Sequence, residues 1–131
     1  MKKLMISLAM ILAAAVSWAE WQEWTPAELV AKSDLIGVGV LGKVSRVETG
    51  NLVRCEGVLE FTKVLKGTNA VVVLSWEVAV PPVEDAMDYT SMAGKRAVWF
   101  LKSRTNGTFF VVHGDGIQNV SRQKEFETLT Q

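Results

Sequence analysis

The sequence is poor in the residues that build stapled or metal-stabilised folds, with one cysteine, one histidine and three prolines among 131 residues. A lone cysteine excludes an intramolecular disulfide and a cysteine-based zinc site. Charge of one sign is also missing, since 14 basic residues balance 14 acidic ones and no basic cluster stands out. A nucleic-acid-binding domain normally carries a basic stripe that neutralises phosphates. We therefore expect no nucleic-acid partner and no cofactor.

The N-terminus has the features of a secretory signal peptide. Lys2 and Lys3 precede an apolar run over residues 4–16, and Ser17, Trp18 and Ala19 form a small-x-small cleavage site. The run is shorter than the roughly 20 residues needed to span a bilayer, and no cysteine near the site could carry a lipid. We predict cleavage after Ala19, no stable membrane anchor afterwards, and a periplasmic or extracellular location.

Residues 20–131 then form a mature chain of a size typical for one domain. Thr25, Pro26 and Glu28 carry the signals of a helix start, because threonine and glutamate three residues apart form a capping box and proline tolerates the first helical position. The polar tail over 121–131 is either a short helix or a frayed end. We expect a single domain over 20–131.

Alternating and apolar runs predict five strands, near residues 35–47, 51–67, 70–76, 95–102 and 108–113. The first contains Gly37, Gly39 and Gly42, which favour the strong curvature of a closed barrel. Asn106-Gly107 is a hairpin turn signal between the last two strands. The predicted fold is mainly β: a small five-stranded antiparallel OB-like barrel with one short N-terminal helix.

Cys55 lies in the second predicted strand, on the same alternating face as Val53, Leu59 and Phe61. A free cysteine in that position behaves as a small buried hydrophobe. We therefore interpret Cys55 as a core residue, with an intermolecular disulfide as the alternative.

Binding residues are predicted in two segments. Residues 77–94 form the longest irregular stretch, and long loops often carry function; its candidates are Pro81, Pro82, Asp85, Asp88 and Tyr89. Trp21 and Trp24 either fold back onto the barrel beside the helix or form an exposed aromatic anchor of the kind found at interfaces. The tryptophans and phenylalanines of the strands are expected in the core.

Three other patterns suggest chemistry and have simpler explanations. His113 and Asp115 could form a hydrolase site with Ser75, Ser91 or Ser103, but a strand-end histidine beside a Gly-Asp-Gly turn explains them and no GxSxG motif occurs. The string over residues 37–42 fits GxGxxG without a helix behind it. Acidic residues of the 77–94 loop lack the spacing of a calcium site, so we expect no metal.

The order of elements resembles a known family. A short helix, SDLIGVGVLGKVSRV, a strand ending in VLKG, VVVLSW, and GKRAVWFLK with its hairpin are similar to the OB-fold-like barrel of netrin-like domains and the tissue inhibitors of metalloproteinases, and to small exported bacterial proteins of unassigned role. The family's inhibitors bind a protease zinc through an N-terminal cysteine, which the predicted mature chain lacks. The resemblance therefore implies the fold and not the activity.

Together these patterns predict an exported, non-catalytic binding module whose partner is a protein of the envelope or extracellular space. The connections at 48–51 and 103–107 are short compared with the loops by which OB-folds hold oligonucleotides or oligosaccharides, which favours a protein partner. A protease-inhibitor-like protein is the first alternative, and a small hydrolase using His113 is the second.

Overall fold

A computed structural model describes residues 24–81 and 87–131 of the chain. The predicted signal peptide and its cleavage site, together with Trp21, Pro82 and Asp85, lie outside these residues. Within the described ranges, neither helix is long and apolar enough to cross a membrane.

The described chain contains two helices and six strands. In chain order they are α1 (Pro26–Lys32), β1 (Leu35–Thr49), β2 (Leu52–Lys66), β3 (Val71–Ala79), β4 (Arg96–Ser103), β5 (Phe109–Val111), β6 (Ile117–Gln118) and α2 (Gln123–Thr130), with single 3₁₀ turns at Thr90–Met92 and Val120–Arg122. The five predicted strands and the N-terminal helix are confirmed. β6 and the 3₁₀ turns were not predicted, and the tail beyond residue 121 is helical.

The strands close into a five-stranded OB-like barrel in the order β1-β2-β3-β5-β4, with β1 and β4 pairing to complete the ring. Neighbours pair antiparallel except β3 and β5, which meet in parallel through Leu74 and Phe109. The expectation of a purely antiparallel barrel is corrected at that one seam. β6 pairs with the first half of β4, on the side away from β1.

Close packing across β1 explains its glycines. The Phe61 ring of β2 lies over Gly37 and Gly39, so that a Cβ atom built on Gly37 would stand 2.5 Å from the ring. The pairing of β1 with β2 also shifts register at three points, and such bulges increase the local bend of a strand. The glycines therefore permit the curvature that the sequence predicted.

One core cluster fills the barrel. It contains the inward side chains of all five barrel strands, including Cys55, Leu59, Leu74 and Trp99. The Trp99 indole Nε1 donates to the Gly39 carbonyl oxygen at 3.1 Å, which satisfies the only polar atom of that side chain. The alternating burial along β2 confirms the inward face predicted from the sequence, and β3 alternates in the same way.

A second cluster lies outside the barrel and covers the outer surface of β1 and β4; we call this surface the covered face. Its buried members are Leu29, Ile36, Val38, Val98, Phe100 and Phe126. α1 supplies Leu29, and the predicted capping box is present, with reciprocal 3.2 Å hydrogen bonds between Thr25 and Glu28. α2 supplies Phe126, which meets Phe100 edge-to-face at 4.7 Å. The two helices thus give β1 and β4 a second buried side.

Among residues 24–81 and 87–131, no such layer of buried side chains covers the outer surface of β2 and β3, which we call the open face. Val58 pairs with Val73 across the strands, and Val71 follows on the same side of β3. Their exposed fractions are 44%, 36% and 59% for Val58, Val73 and Val71. None of the three belongs to either core cluster. We call these residues the valine patch.

Candidate functional site

Asp88, a predicted binding residue, is bonded to the barrel. Its carboxylate accepts hydrogen bonds from Arg46 Nη1 at 2.9 Å, Trp76 Nε1 at 3.1 Å and the Thr90 backbone N–H at 3.1 Å. Burial alone would raise its pKa, but the bonds from Thr90, Arg46 and Trp76 outweigh burial and lower the pKa to about 2. Asp88 is therefore a charged anchor that ties the returning end of the 77–94 loop to β1 and β3.

Tyr89 is the second anchor of this loop. The side chain is buried and meets Trp76 edge-to-face, with ring centres 5.3 Å apart, and burial raises the pKa of its phenol. Pro81, at the other end of the loop, is exposed. Because Asp88 and Tyr89 use their contacts on the barrel, we do not include them in the candidate site.

Trp24 packs against the covered face. Its ring stacks on His113 with centres 4.3 Å apart, and Lys32 Nζ lies 4.8 Å from the ring centre. Its backbone N–H donates to Asp115 Oδ2 at 3.2 Å. Of the two predicted alternatives, Trp24 takes the folded-back position beside Leu29, where residues on either side of a helix cap commonly meet. Trp24 packs against the cluster of the covered face, whereas Tyr89 belongs to the core of the barrel. The two predicted binding residues therefore do not lie in one cluster.

The hydrolase alternative requires a serine hydroxyl beside His113. His113 Nδ1 instead accepts from the Asp115 backbone N–H at 3.1 Å, as the turn interpretation predicts. Ser75 Oγ donates to Thr108 at 3.0 Å and Ser103 Oγ to Asp34 at 3.1 Å. No hydrogen bond joins His113 to a serine within residues 24–81 and 87–131, so the geometry gives this alternative no support.

Cys55 is fully buried in the barrel, as the strand pattern predicted. Burial raises the pKa of its thiol, partly offset by the charge of Arg46. A buried thiol of raised pKa is a poor nucleophile. In the part of the chain that the structure describes, no group of three or more acidic, histidine or cysteine side chains could hold a metal ion.

The open face combines exposed apolar side chains with a polar cleft. Beside the valine patch, β2, β3 and the β4–β5 hairpin enclose a cleft of about 190 Å³. Its charged and polar side chains are Arg54, Glu56, Ser75, Glu77, Arg104 and Asn106. Apolar side chains thus adjoin a cleft of mixed charge, as at protein interfaces, where an apolar centre is bordered by polar groups.

Arg104 is an exposed side chain of this cleft that is nevertheless held by several contacts. Its guanidinium donates to Ser75 Oγ and to the Ser75 carbonyl oxygen, each at 3.2 Å, and lies 4.6 Å from the centre of the Phe110 ring. By contrast, Arg54 reaches Glu77 at 3.7 Å, and both side chains are largely exposed. The 103–107 connection, which we expected to contribute little, therefore places an oriented cation on the open face.

Sequence reasoning missed Arg104 and the valine patch. The near-continuous apolar run of β3 could have pointed to the valine patch, because it places apolar side chains on the outer side of the strand as well. Such a run is typical of a strand that is buried on both faces. In β4 that prediction holds, since its residues 97–101 are all buried. In β3 the outward valines are exposed instead. Arg104 gave no signal, since its partner Ser75 is 29 residues away.

In comparisons with known proteins, the sequence matches no family model and no curated protein.

Proposed function

We propose that this chain is an exported, non-catalytic binding module of the periplasm or extracellular space, and that it binds a protein partner through the open face. The proposal retains the function expected from the sequence and moves the binding surface. The predicted surface combined Trp21 and Trp24 with the 77–94 loop. The described members of that surface contact the barrel, except Pro81, whereas the valine patch is exposed.

The observation that carries the proposal is the exposure of three clustered valines. A single exposed valine is ordinary in a strand, because β-branched side chains favour strands for local reasons. Here Val58 and Val73 face each other across two strands, and Val71 adjoins them. Apolar side chains grouped in this way beside polar groups are typical of interaction sites. The buried outer side of β4 in the same barrel shows what such a strand surface looks like when it is covered.

Charge favours a protein as the partner. The cleft combines Arg54 and Arg104 with Glu56 and Glu77, so its charges nearly cancel. A nucleic acid or another polyanion needs several cations that act together. A protein surface presents apolar groups and single charges of both signs, which match this arrangement.

The resemblance to netrin-like domains and metalloproteinase inhibitors supports this proposal only through the barrel, which is a frequent scaffold of binding modules. An inhibitory mechanism through an N-terminal cysteine has no counterpart in the predicted mature chain. Neither the inhibitor alternative nor the hydrolase alternative gains a specific observation from the described residues.

Capture from the native envelope fraction tests the proposal. The bait pair is the wild-type chain and a Val58→Thr/Val73→Thr double variant, which keeps β-branched shape and removes apolar surface. Val120→Thr is the matched control, because Val120 and Val73 are each 36% exposed. We expect one identified protein to be captured by wild type and control, lost with the double variant, and to bind purified wild type directly. Equal capture by all three baits would overturn the proposal.

A further inference from the structure

Arg104 is held as a preorganised cation. Its Nε and Nη2 donate to the hydroxyl and carbonyl oxygens of Ser75, each at 3.2 Å, while Phe110 supports one face of the guanidinium. An exposed arginine normally loses side-chain entropy when it binds a ligand. The contacts with Ser75 and Phe110 already restrict the Arg104 side chain in the free protein, so less side-chain entropy is lost when a ligand binds. A ligand bonded by the remaining donors therefore binds more tightly.

A relay of hydroxyl groups fixes the support beneath Arg104. Ser75 Oγ donates to Thr108 Oγ1 at 3.0 Å, and Thr108 Oγ1 donates to Asn106 Oδ1 at 2.7 Å. The Thr108 backbone N–H also donates to Asn106 Oδ1, at 3.1 Å. The hairpin turn, which contains Gly107 at φ 87°, therefore orients Arg104 through side chains as well as through its backbone.

The charge of Arg104 has no carboxylate beside it among the described residues. Arg46 lies 2.9 Å from Asp88, Arg54 3.7 Å from Glu77 and Arg122 2.9 Å from Glu125. Over residues 24–81 and 87–131 no acidic oxygen lies within 4.0 Å of Arg104. Its Nη1 also has no hydrogen-bond acceptor within those ranges. The guanidinium of this cleft residue thus keeps donors that can bond a ligand.

We propose that Arg104 binds a carboxylate of an extended protein segment, and that an aliphatic side chain two residues from this carboxylate rests on the valine patch. The inference rests on the proposed function, because it names the chemistry of that partner. The spacing follows from β3, where Ser75, the support of Arg104, and Val73 are two residues apart on one side of the strand. In an extended ligand, side chains two residues apart likewise share a side, roughly 7 Å apart.

A carboxylate fits this site better than a phosphate does. Glu56, the strand partner of Ser75, and Glu77 line the same cleft, so a second negative charge on the ligand would meet repulsion. Arginine forms two parallel N–H···O bonds with carboxylates and phosphates alike, so the discrimination between them comes from the two glutamates. The acidic neighbours therefore select one charge and disfavour polyanions.

Peptide titration of the full ¹⁵N-labelled mature chain tests this inference without the native partner. The probe is the capped pentapeptide Val-Thr-Glu-Thr-Val, which places valine two residues from the glutamate on both sides. Two controls are matched to it: Val-Thr-Gln-Thr-Val removes the charge, and Thr-Val-Glu-Val-Thr moves both valines to the opposite face. Arg104→Lys keeps the charge and removes the planar fork, and Arg96→Lys, at an exposed arginine of β4 outside the cleft, is the matched protein control.

We expect the probe to shift the Arg104 Nε–H signal and the amides of Ser75 and Thr108 in a saturable way. Each control peptide should bind about tenfold more weakly or worse, and Arg104→Lys should weaken the probe about tenfold, with Arg96→Lys within about twofold of wild type. Equal binding of probe and either control peptide would overturn the inference. So would an unaffected Arg104→Lys, an equal loss with Arg96→Lys, or no saturable shift at about 5 mM probe.

A second copy of the chain is the alternative occupant of the open face, and the same spectra detect such self-association. Shifts at Ser75 and Thr108 that depend on protein concentration alone would show a second copy at the open face and would overturn the carboxylate proposal.

The experiments also distinguish failure of this inference from failure of the proposed function. Probe binding with unchanged capture by the valine variant would reject the proposed partner surface, whereas loss of capture without probe binding would reject the role of Arg104.

Discussion

The covered face and the open face are two parts of the outer surface of one barrel. Strands of similarly apolar sequence are buried on the covered face and exposed on the open face. On the covered face, Val98 and Phe100 of β4 lie beneath the helices with 0% exposure. On the open face, Val71 and Val73 of an equally apolar run remain exposed. Strand sequence alone therefore does not decide whether the outer side is buried, because the covering elements come from elsewhere in the chain. Among the described residues, the open face is thus the side of the barrel where these outward valines remain exposed, and it is the side through which we propose that a partner binds.

The largest expected effect is on the covered face, in Phe126→Ala. Phe126 is fully buried against Phe100, and truncation of a buried phenylalanine costs about 3–5 kcal/mol through lost burial and the cavity left behind. Urea unfolding followed by circular dichroism should show this loss in the free energy of unfolding. A loss below about 1 kcal/mol would show that α2 covers the barrel only loosely, and the contrast between the two faces would disappear.

An intermediate effect is expected at Asp88, where attachment of the loop residues to β1 and β3 depends on charge. Its folded-state pKa of about 2 lies below the ordinary 3.8, so its stabilising contribution is present above about pH 4 and is lost as pH falls toward 2. Because the side chain is partly exposed, we expect Asp88→Asn to cost only about 1 kcal/mol near neutral pH. The difference between wild type and variant should shrink to a minor part of its neutral-pH value by about pH 2 and disappear below it.

Denaturant unfolding at several pH values checks this prediction, since other carboxylates titrate in both proteins and cancel in the difference. A difference that stays constant between about pH 5 and pH 2 would show that the charge of Asp88 does not hold the loop.

The smallest expected effect on stability is on the open face, in Val58→Thr/Val73→Thr. Both side chains are exposed and the replacements keep their shape, so the free energy of unfolding should change by no more than about 0.5 kcal/mol per site. Thermal and urea unfolding beside the Val120→Thr control measure it. A loss of several kcal/mol would mean that the valine patch is packed within the protein, and the open face would then be a second covered face.

The sequence predicted the fold better than it predicted the site. Alternation in β2 placed Cys55 and Leu59 inside, and Thr25 with Glu28 marked the start of α1, because these signals depend on neighbours in the chain. The parallel contact of Leu74 with Phe109 did not follow from any local pattern. Pairing of distant strands is decided by closure of the whole barrel.

The candidate site depends on similar long-range contacts. Asp88 was predicted to face a partner, yet Arg46 and Trp76 hold it, at separations of 42 and 12 residues. Ser75 meets Arg104 only because the β4–β5 hairpin lies against β3. Acidic and aromatic residues in a loop have the same sequence signature whether they bind a partner or anchor the loop, so composition alone could not distinguish the two roles.

Site-specific photo-crosslinking in the native host tests the central claim most directly. A photoreactive side chain is placed at position 73, at position 58 or, as the control of matched exposure, at position 120. We predict that positions 58 and 73 give one crosslinked adduct containing the same identified protein, that Arg104→Lys weakens it, and that position 120 does not give it. The same adduct from all three positions, or none from positions 58 and 73, would contradict the claim that the open face binds a protein partner.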